Sequence, residues 1–121
     1  MSRSVLVVED DPAIRETLCA LLVGEGYRAT GAANGKEALD ILRRDERPSV
    51  ILLDLMMPVM DGPTFRAEQL EDPNLRSIPV VVITAGGHYN AASLKVDTVL
   101  LKPLGAEAVF QVVERLCRTA C

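Results

Sequence analysis

Apolar runs of strand length alternate along this chain with stretches in which apolar residues recur at helical spacing. Residues 5–8, 50–53, 79–84 and 98–101 are mostly aliphatic, and residues 28–33 form a more polar run. Unbroken aliphatic runs are typical of strands that are covered on both faces of a parallel sheet. Helices are predicted at residues 12–24, 36–44, 63–70 and 106–118, with a short ambiguous segment between residues 84 and 98.

Local signals support the ends and the buried faces of these helices. Asp11 followed by Pro12 is typical of a helix N-terminus, because aspartate caps the first amides and proline fits the first turn. Asn34-Gly35 predicts a turn, and Pro48 ends the second helix. The spacing predicts that the first and last helices bury Ile14, Leu18, Leu21 and Leu22, and Val109, Val112, Val113 and Leu116.

This order of elements predicts an α/β fold. Strands that alternate with helices through short connections favour a parallel sheet with right-handed crossovers. The predicted architecture is a doubly wound, five-stranded parallel sheet with helices on both faces, and residues 1–121 fit a single domain. Five helices are expected, with the fourth one in the ambiguous interval after Thr84.

Composition and charge narrow the classes of function. Aromatic residues make up only 3% of the chain and the net charge is −4, with no basic stripe, which argues against direct binding of nucleic acid. No run is long and apolar enough to predict a membrane span or an export signal, so a cytoplasmic location is expected. Cys19, Cys117 and Cys121 lack metal-binding spacing, and the first two are interpreted as apolar residues of helices.

Polar residues follow four of the predicted strands. Glu9 and Asp10 follow the first, Asp54 the third, Thr84 closes the fourth, and Lys102 follows the fifth. Ligands of open α/β sheets bind beyond the carboxyl ends of the strands, so this arrangement predicts a site at that edge. Carboxylates that meet there need a cation to balance their charge.

Five sequence strings together resemble the receiver domain of two-component response regulators. They are VLVVEDDP at 5–12, NGKEAL at 34–39, LLDLMMPVMDG at 52–62, PVVVITA at 79–85 and LLKP at 100–103, and they span essentially the whole chain. The resemblance implies a flavodoxin-like fold with strand order 2-1-3-4-5. It also implies a phosphoacceptor domain that has no enzymatic activity beyond its own phosphorylation and dephosphorylation.

The resemblance assigns a role to each polar residue at this edge. Asp54 would be the nucleophile that accepts the phosphoryl group, and an aspartate can form such an acyl phosphate. Mg²⁺, or Mn²⁺ in its place, would be bound directly by Asp10 and Asp54 and through water by Glu9. The backbone carbonyl of Met56 would complete the metal site.

Two further residues would act on the phosphoryl group itself. Lys102 would pair with the carboxylate at rest and with a phosphoryl oxygen afterwards, and Thr84 would donate its hydroxyl to another oxygen. Lys102-Pro103 resembles the cis peptide of the family, although a trans proline is the commoner arrangement for this dipeptide. Pro58 and Gly62 belong either to an ordinary turn or to the loop that shapes the metal site.

The expected readout of phosphorylation departs from the family pattern. Receivers usually carry an aromatic residue three positions before the lysine, and here Val99 occupies that position. The interval between Thr84 and Lys102 is also about one helical turn shorter than is typical of the family, so the fourth helix is expected to be shortened. Tyr89 either replaces this aromatic or, like His88, is an exposed loop residue. The alternative to a phosphorylation switch is therefore an interaction module that switches atypically or without phosphorylation.

The resemblance implies protein partners. A sensor histidine kinase or a histidine phosphotransfer protein would donate the phosphoryl group, and a downstream target protein would read it, with no direct binding to nucleic acid or membrane. A monomer and a phosphorylation-dependent dimer both remain open, as does a domain from a longer regulator. A hydrolase of the haloacid-dehalogenase kind ranks last, because Met56 stands where that family needs a second aspartate.

Overall fold

The computed structural model describes residues 3–44, 47–85, 94–96 and 98–120, of which 118–120 by backbone alone. Five strands form one parallel sheet in the order β2-β1-β3-β4-β5, which confirms the predicted topology. The strands are β1 (Ser4–Val8), β2 (Arg28–Ala32), β3 (Val50–Asp54), β4 (Val80–Thr84) and β5 (Thr98–Leu101). The helices are α1 (Pro12–Gly24), α2 (Gly35–Arg44), α3 (Gly62–Glu71) and α4 (Ala106–Ala120).

The predicted helix ends lie within two residues of the observed ones, and side-chain caps support the starts of α1 and α3. The Asp11 side chain accepts hydrogen bonds from the amides of Ala13 and Ile14, so α1 starts at Pro12 as predicted. Asp61 caps α3 in the same way, and this helix begins at Gly62. The segment expected to hold a shortened helix falls mostly on residues 86–93, outside the described part of the chain.

Alternating side chains of the strands divide the core into two layers, one on each face of the sheet. One layer, which includes Leu6, Leu53 and Phe65, lies under α2 and α3. The other, which includes Val7 and Leu52, lies under α1 and α4. Strands β3 and β4 are buried along their whole length, because helices cover both of their faces.

One predicted core residue lies at the surface. Leu21 of α1 is 39% exposed, although Leu18 and Leu22 of the same helix are buried as predicted. Leu21 lines an open groove of about 610 Å³ between α1 and the start of α4, where the two helices leave room between them. Cys117 is buried and Cys19 is half-buried, in agreement with their interpretation as helix packing residues.

No helix in the described ranges combines the length and the apolar character that crossing a lipid bilayer requires.

Candidate functional site

The register of the sheet brings the predicted polar residues to one edge. In the pairing of β1 with β3, the residues just before Glu9 and just before Asp54 are partners. Asp54 itself pairs with the residue before Thr84. Beyond the last pair of β5, the amide of Lys102 donates to the carbonyl oxygen of Thr84 at 2.8 Å. The strand ends thus meet as the sequence predicts.

The acidic side chains form a cluster of the size of a cation site. Glu9, Asp10 and Asp54 each offer a carboxylate oxygen, and these oxygens lie within 4.8 Å of one another. Glu9 and Asp54 are 3% and 5% exposed, while Asp10 faces solvent. Two carboxylates are therefore withdrawn from water, and the third leaves an entry path.

One carboxylate oxygen of this cluster lacks a hydrogen-bond donor among the described residues, which bears on whether the site suits a cation. The Oε2 atom of Glu9 is buried and accepts no hydrogen bond within the described part of the structure. A buried carboxylate oxygen without a donor is costly, and a hard cation coordinated by oxygen atoms would satisfy it. The donor set is entirely carboxylate, which suits Mg²⁺ or Mn²⁺ rather than a metal that prefers nitrogen or sulfur. The residues fit the predicted metal.

Lys102 joins the two buried carboxylates. Its Nζ lies 3.0 Å from Glu9 Oε1 and 3.3 Å from Asp54 Oδ2, and the lysine side chain is 25% exposed. The resemblance implies the contact with Asp54, but sequence reasoning missed the shorter contact with Glu9. The ammonium group therefore occupies part of the space between the acidic groups.

The closeness of these groups changes their protonation. The pKa of Glu9 is raised from 4.5 to about 7, mainly by burial and then by the neighbouring Asp54 carboxylate, which together outweigh the lowering effect of Lys102. Burial lowers the pKa of Lys102, but its hydrogen bond to Glu9 and the charges of both carboxylates outweigh burial and raise it overall. Lys102 is thus a stable cation, and Glu9 is partly protonated near neutral pH.

The loop after β3 holds Asp54 from the other side. The amide of Met56 donates to Asp54 Oδ1 at 3.3 Å, while Met56 itself is 79% exposed, in line with the expectation that its side chain is not a metal ligand. The Gly62 amide donates to the carbonyl oxygen of Leu55 at 3.0 Å and closes the loop. A Cβ atom at Gly62 would lie 2.7 Å from the Asp54 carbonyl oxygen, so this close approach requires glycine.

Other predictions for the site have separate outcomes. The Lys102-Pro103 peptide is cis, as the resemblance implies. Val99 is half-buried and packs against the core layer under α3. His88 and Tyr89 lie outside the described residues, so their predicted roles stay predictions.

Sequence reasoning missed two arginines that bind backbone carbonyls, and one of them, Arg15, contacts residues of the site. Arg15 on α1 donates to the backbone carbonyls of Glu9 and Asp10. Arg66 on α3, only 6% exposed, donates to carbonyls of the segment that precedes β5. An isolated glycine inside a strand often marks a close approach, and Gly31 on β2 was the signal that could have revealed the path of Arg15.

Comparison with known proteins agrees with this geometry. The family model described as the response regulator receiver domain matches residues 5–114. Over 122 residues the chain is 39% identical to the response regulator PleD of Caulobacter vibrioides, covering 98% of this chain but only 27% of PleD. It is 33% identical to sporulation initiation phosphotransferase F of Bacillus subtilis, covering 95% of this chain and 94% of that protein.

Solved structures show the same fold. The receiver domain of the sensor histidine kinase PA1611 from Pseudomonas aeruginosa, with a magnesium ion coordinated in its active site cleft, has a TM-score of 0.88 and 28% identity. That match covers 98% of this chain and 99% of the other. The chemotaxis protein CheY4 of Vibrio cholerae has a TM-score of 0.87 and 27% identity over 96% of this chain and 99% of the other.

Proposed function

The chain belongs to the response regulator receiver domain family of two-component systems, and from this premise we propose that Asp54 is the residue that accepts the phosphoryl group. The observation that supports this most directly is the position of its carboxylate. Asp54 closes the fully buried strand β3, next to two further acidic side chains and within hydrogen-bonding distance of Lys102. An aspartate held in this way is a competent nucleophile toward phosphorus.

Asp10 and Asp54 would bind a divalent cation, Mg²⁺ or Mn²⁺, directly, Glu9 would bind it through water, and the backbone carbonyl of Met56 would complete the site. When bound, the cation would neutralise the acidic cluster and polarise the phosphoryl oxygens. The exposed carboxylate of Asp10 marks the side that faces solvent, and the buried Oε2 of Glu9 marks the side that lacks a donor. Both features support a cation site that is open to solvent at Asp10 and buried at Glu9.

The protein residues would carry out the transfer by positioning and charge. An oxygen of Asp54 forms a bond to phosphorus while the bond from phosphorus to the donor histidine nitrogen breaks, and the nitrogen keeps the electron pair. Lys102 would follow the negative charge from the carboxylate to a phosphoryl oxygen. Thr84, buried at the end of β4, would donate its hydroxyl to another.

The donor would be a sensor histidine kinase or a histidine phosphotransfer protein, and the output would be contact with a downstream protein. The chain spans about a quarter of PleD and 51% of the response regulator Rre1 from Synechocystis. The outputs of those whole proteins therefore do not identify the downstream partner of this chain. Small phosphodonors that need no partner offer the simplest test of the receiver itself.

The test is incubation with acetyl phosphate and Mg²⁺, followed by intact-mass analysis. We expect one phosphoryl group on the wild-type protein, none on Asp54→Asn, and an unchanged adduct on Asp40→Asn, an exposed aspartate of α2. Labelling that persists in Asp54→Asn would assign the nucleophile elsewhere. A wild-type protein that stays unlabelled over a range of Mg²⁺ concentrations and pH would contradict the proposed function.

A second measurement separates phosphate acceptance from switching, because Val99 replaces the usual aromatic residue. Beryllofluoride mimics the phosphoryl group, and backbone amide shifts with and without it map the response. We expect changes to reach β4, β5 and α4. Changes confined to the loops that carry Glu9, Asp54 and Lys102 would instead favour the interaction module that does not switch by phosphorylation.

A further inference from the structure

The position of Arg15 carries an inference beyond the residues that the family pattern assigns. Arg15 lies on the first turn of α1 and is half-buried, and its Nη1 atom donates to the backbone carbonyl of Glu9 at 2.9 Å and to that of Asp10 at 3.4 Å. Its guanidinium group therefore contacts the backbone of two of the acidic residues, not their carboxylates.

The chain needs such a contact where it leaves the sheet. The last backbone hydrogen bond between the end of β1 and β2 runs from the amide of Glu9 to the carbonyl oxygen of Ala32, at 3.0 Å. Side chains of consecutive residues then diverge, since Glu9 is buried and Asp10 is exposed. The backbone of these two residues determines where both carboxylates lie, and Arg15 donates hydrogen bonds to the carbonyl oxygens of both.

Strand β2 leaves room for this side chain. A Cβ atom at Gly31 would lie 3.0 Å from both Cγ and Cδ of Arg15, so the stem of the arginine passes directly over the glycine. Gly31 is an ordinary strand residue whose backbone conformation does not require glycine, and glycine inside a strand is destabilising relative to alanine. The passage of Arg15 gives a physical reason for accepting that cost.

We propose that Arg15, seated over Gly31, is a positioning residue for the cation site, which it sets by fixing the backbone of Glu9 and Asp10. This proposal rests on the proposed function, because it assumes that these carboxylates bind a divalent cation. Groups that orient metal ligands without touching the metal change affinity about 10-fold to 100-fold when they are removed. Arg15 acts through the backbone, so we expect the lower end of that range.

The test compares Mg²⁺ affinity by calorimetry in four variants. Arg15→Gln should weaken binding about tenfold, and Arg15→Lys should recover part of the loss because it keeps one donor and the charge. Gly31→Ala should also weaken binding, although alanine favours the strand, because the new methyl group displaces the intact arginine. Arg28→Gln is the matched control: this exposed arginine starts β2 at the opposite end of the sheet and should leave affinity unchanged.

A second readout needs no metal. In EDTA, the backbone amides of Asp10 and Asp11 should exchange with deuterium faster in Arg15→Gln and Gly31→Ala than in wild type, while the amides of β3 keep their protection. A merely structural role would lower protection across the whole sheet.

The possible outcomes separate this proposal from the proposed function. Equal Mg²⁺ affinity in wild type, Arg15→Gln and Gly31→Ala, with unchanged exchange at Asp10, overturns the positioning role alone. A wild-type protein that fails to bind Mg²⁺ overturns the proposed function and the cation role of Arg15 together. If Arg15→Gln does not fold, Gly31→Ala and Arg15→Lys still decide between these outcomes.

Discussion

Replacing Lys102 with methionine removes the cation between the two buried carboxylates. In the metal-free protein the ammonium group lies 3.0 Å from Glu9 and 3.3 Å from Asp54, so both carboxylates lose a hydrogen-bond donor at once. Methionine fills a similar volume, and the change is therefore mainly electrostatic. We expect Lys102→Met to fold but to be less stable than wild type, by an amount that depends on pH.

The magnitude follows from two opposing effects. Removing one member of a buried ion pair typically costs about 3–5 kcal/mol, because the partner charge is left uncompensated. Here Glu9 can take up a proton, since burial already raises its pKa to about 7 and Lys102 is one of the groups that lower it. We therefore expect a loss of about 2 kcal/mol at pH 8.5 and about 1 kcal/mol at pH 5.5, where Glu9 is neutral in both proteins.

The assay is urea unfolding in EDTA, followed by circular dichroism because the chain contains no tryptophan. Lys36→Met, at an exposed position of α2, is the control and should change stability by less than about 0.5 kcal/mol at either pH. Adding Mg²⁺ should stabilise Lys102→Met more than wild type, because the cation then binds oxygens that no ammonium group occupies. A loss that is equal at both pH values, or larger at pH 5.5, would refute this reasoning.

Three other predictions concern single residues. In EDTA the free energy of unfolding of the wild-type protein should fall by about 3 kcal/mol as the pH rises from 4.5 to 7, because the pKa of Glu9 is about 7 in the folded state and 4.5 in the unfolded state, so only the folded state holds the proton in this range. Urea unfolding of Glu9→Gln should lack this slope. An identical slope in both proteins would contradict the prediction. Arg66→Met should destabilise the protein by about 3 kcal/mol, because it removes the hydrogen-bond donor of buried Gln69 and of two backbone carbonyls. Arg115→Met, at an exposed position, is the control in the same urea assay. Equal stability of the two variants would show that the Arg66 hydrogen bonds are dispensable. Gly62→Ala should lower stability by at least about 2 kcal/mol in thermal unfolding, because the new Cβ would meet backbone atoms of Asp54 and Leu55 at 2.7 and 2.8 Å. The control is Gly24→Ala, whose Cβ would meet nothing within 4 Å and which should not lower stability. Equal losses in the two variants would mean that crowding is not the cause.

The parallel sheet and the location of the site could be predicted because they depend on local patterns. An aliphatic run followed by an acidic residue specifies both a buried strand and what lies at its end. Parallel pairing then brings the strand ends together without further information, and the observed register does so for Glu9, Asp54 and Thr84. The residue-by-residue match to the receiver family added the strand order and the cis peptide, which spacing alone does not specify.

Contacts between distant elements could not be predicted in the same way. The hydrogen bond from Lys102 to Glu9 joins residues 93 positions apart, and its length relative to the Asp54 contact depends on side-chain packing. Leu21 has the spacing of a buried residue, but it is exposed because α1 and α4 do not close over it. Helical periodicity gives the face of a helix, and only the neighbouring helix determines how much of that face is covered.

Two buried polar side chains of α3, Arg66 and Gln69, connect this helix to the segments that precede β4 and β5. Arg66 Nε donates to the carbonyl of Leu94 at 2.8 Å, another guanidinium nitrogen donates to the carbonyl of Lys95, and Nη1 donates to Gln69 at 2.7 Å. Gln69 is fully buried and donates in turn to carbonyls of the chain that leads into β4.

Hydrogen bonds from a charged group are directional and about twice as strong as those between neutral groups, so these contacts favour one position of residues 94 and 95 relative to α3. Lys95 has a φ of 52°, an uncommon conformation for a residue with a side chain, and the Arg66 contact holds its carbonyl. Val99, which follows shortly after, is only half-buried and offers no aromatic ring to rotate. A rearrangement on phosphorylation that moved residues 94 and 95 away from α3 would therefore break the Arg66 hydrogen bonds and make α3 part of the energetics of the response.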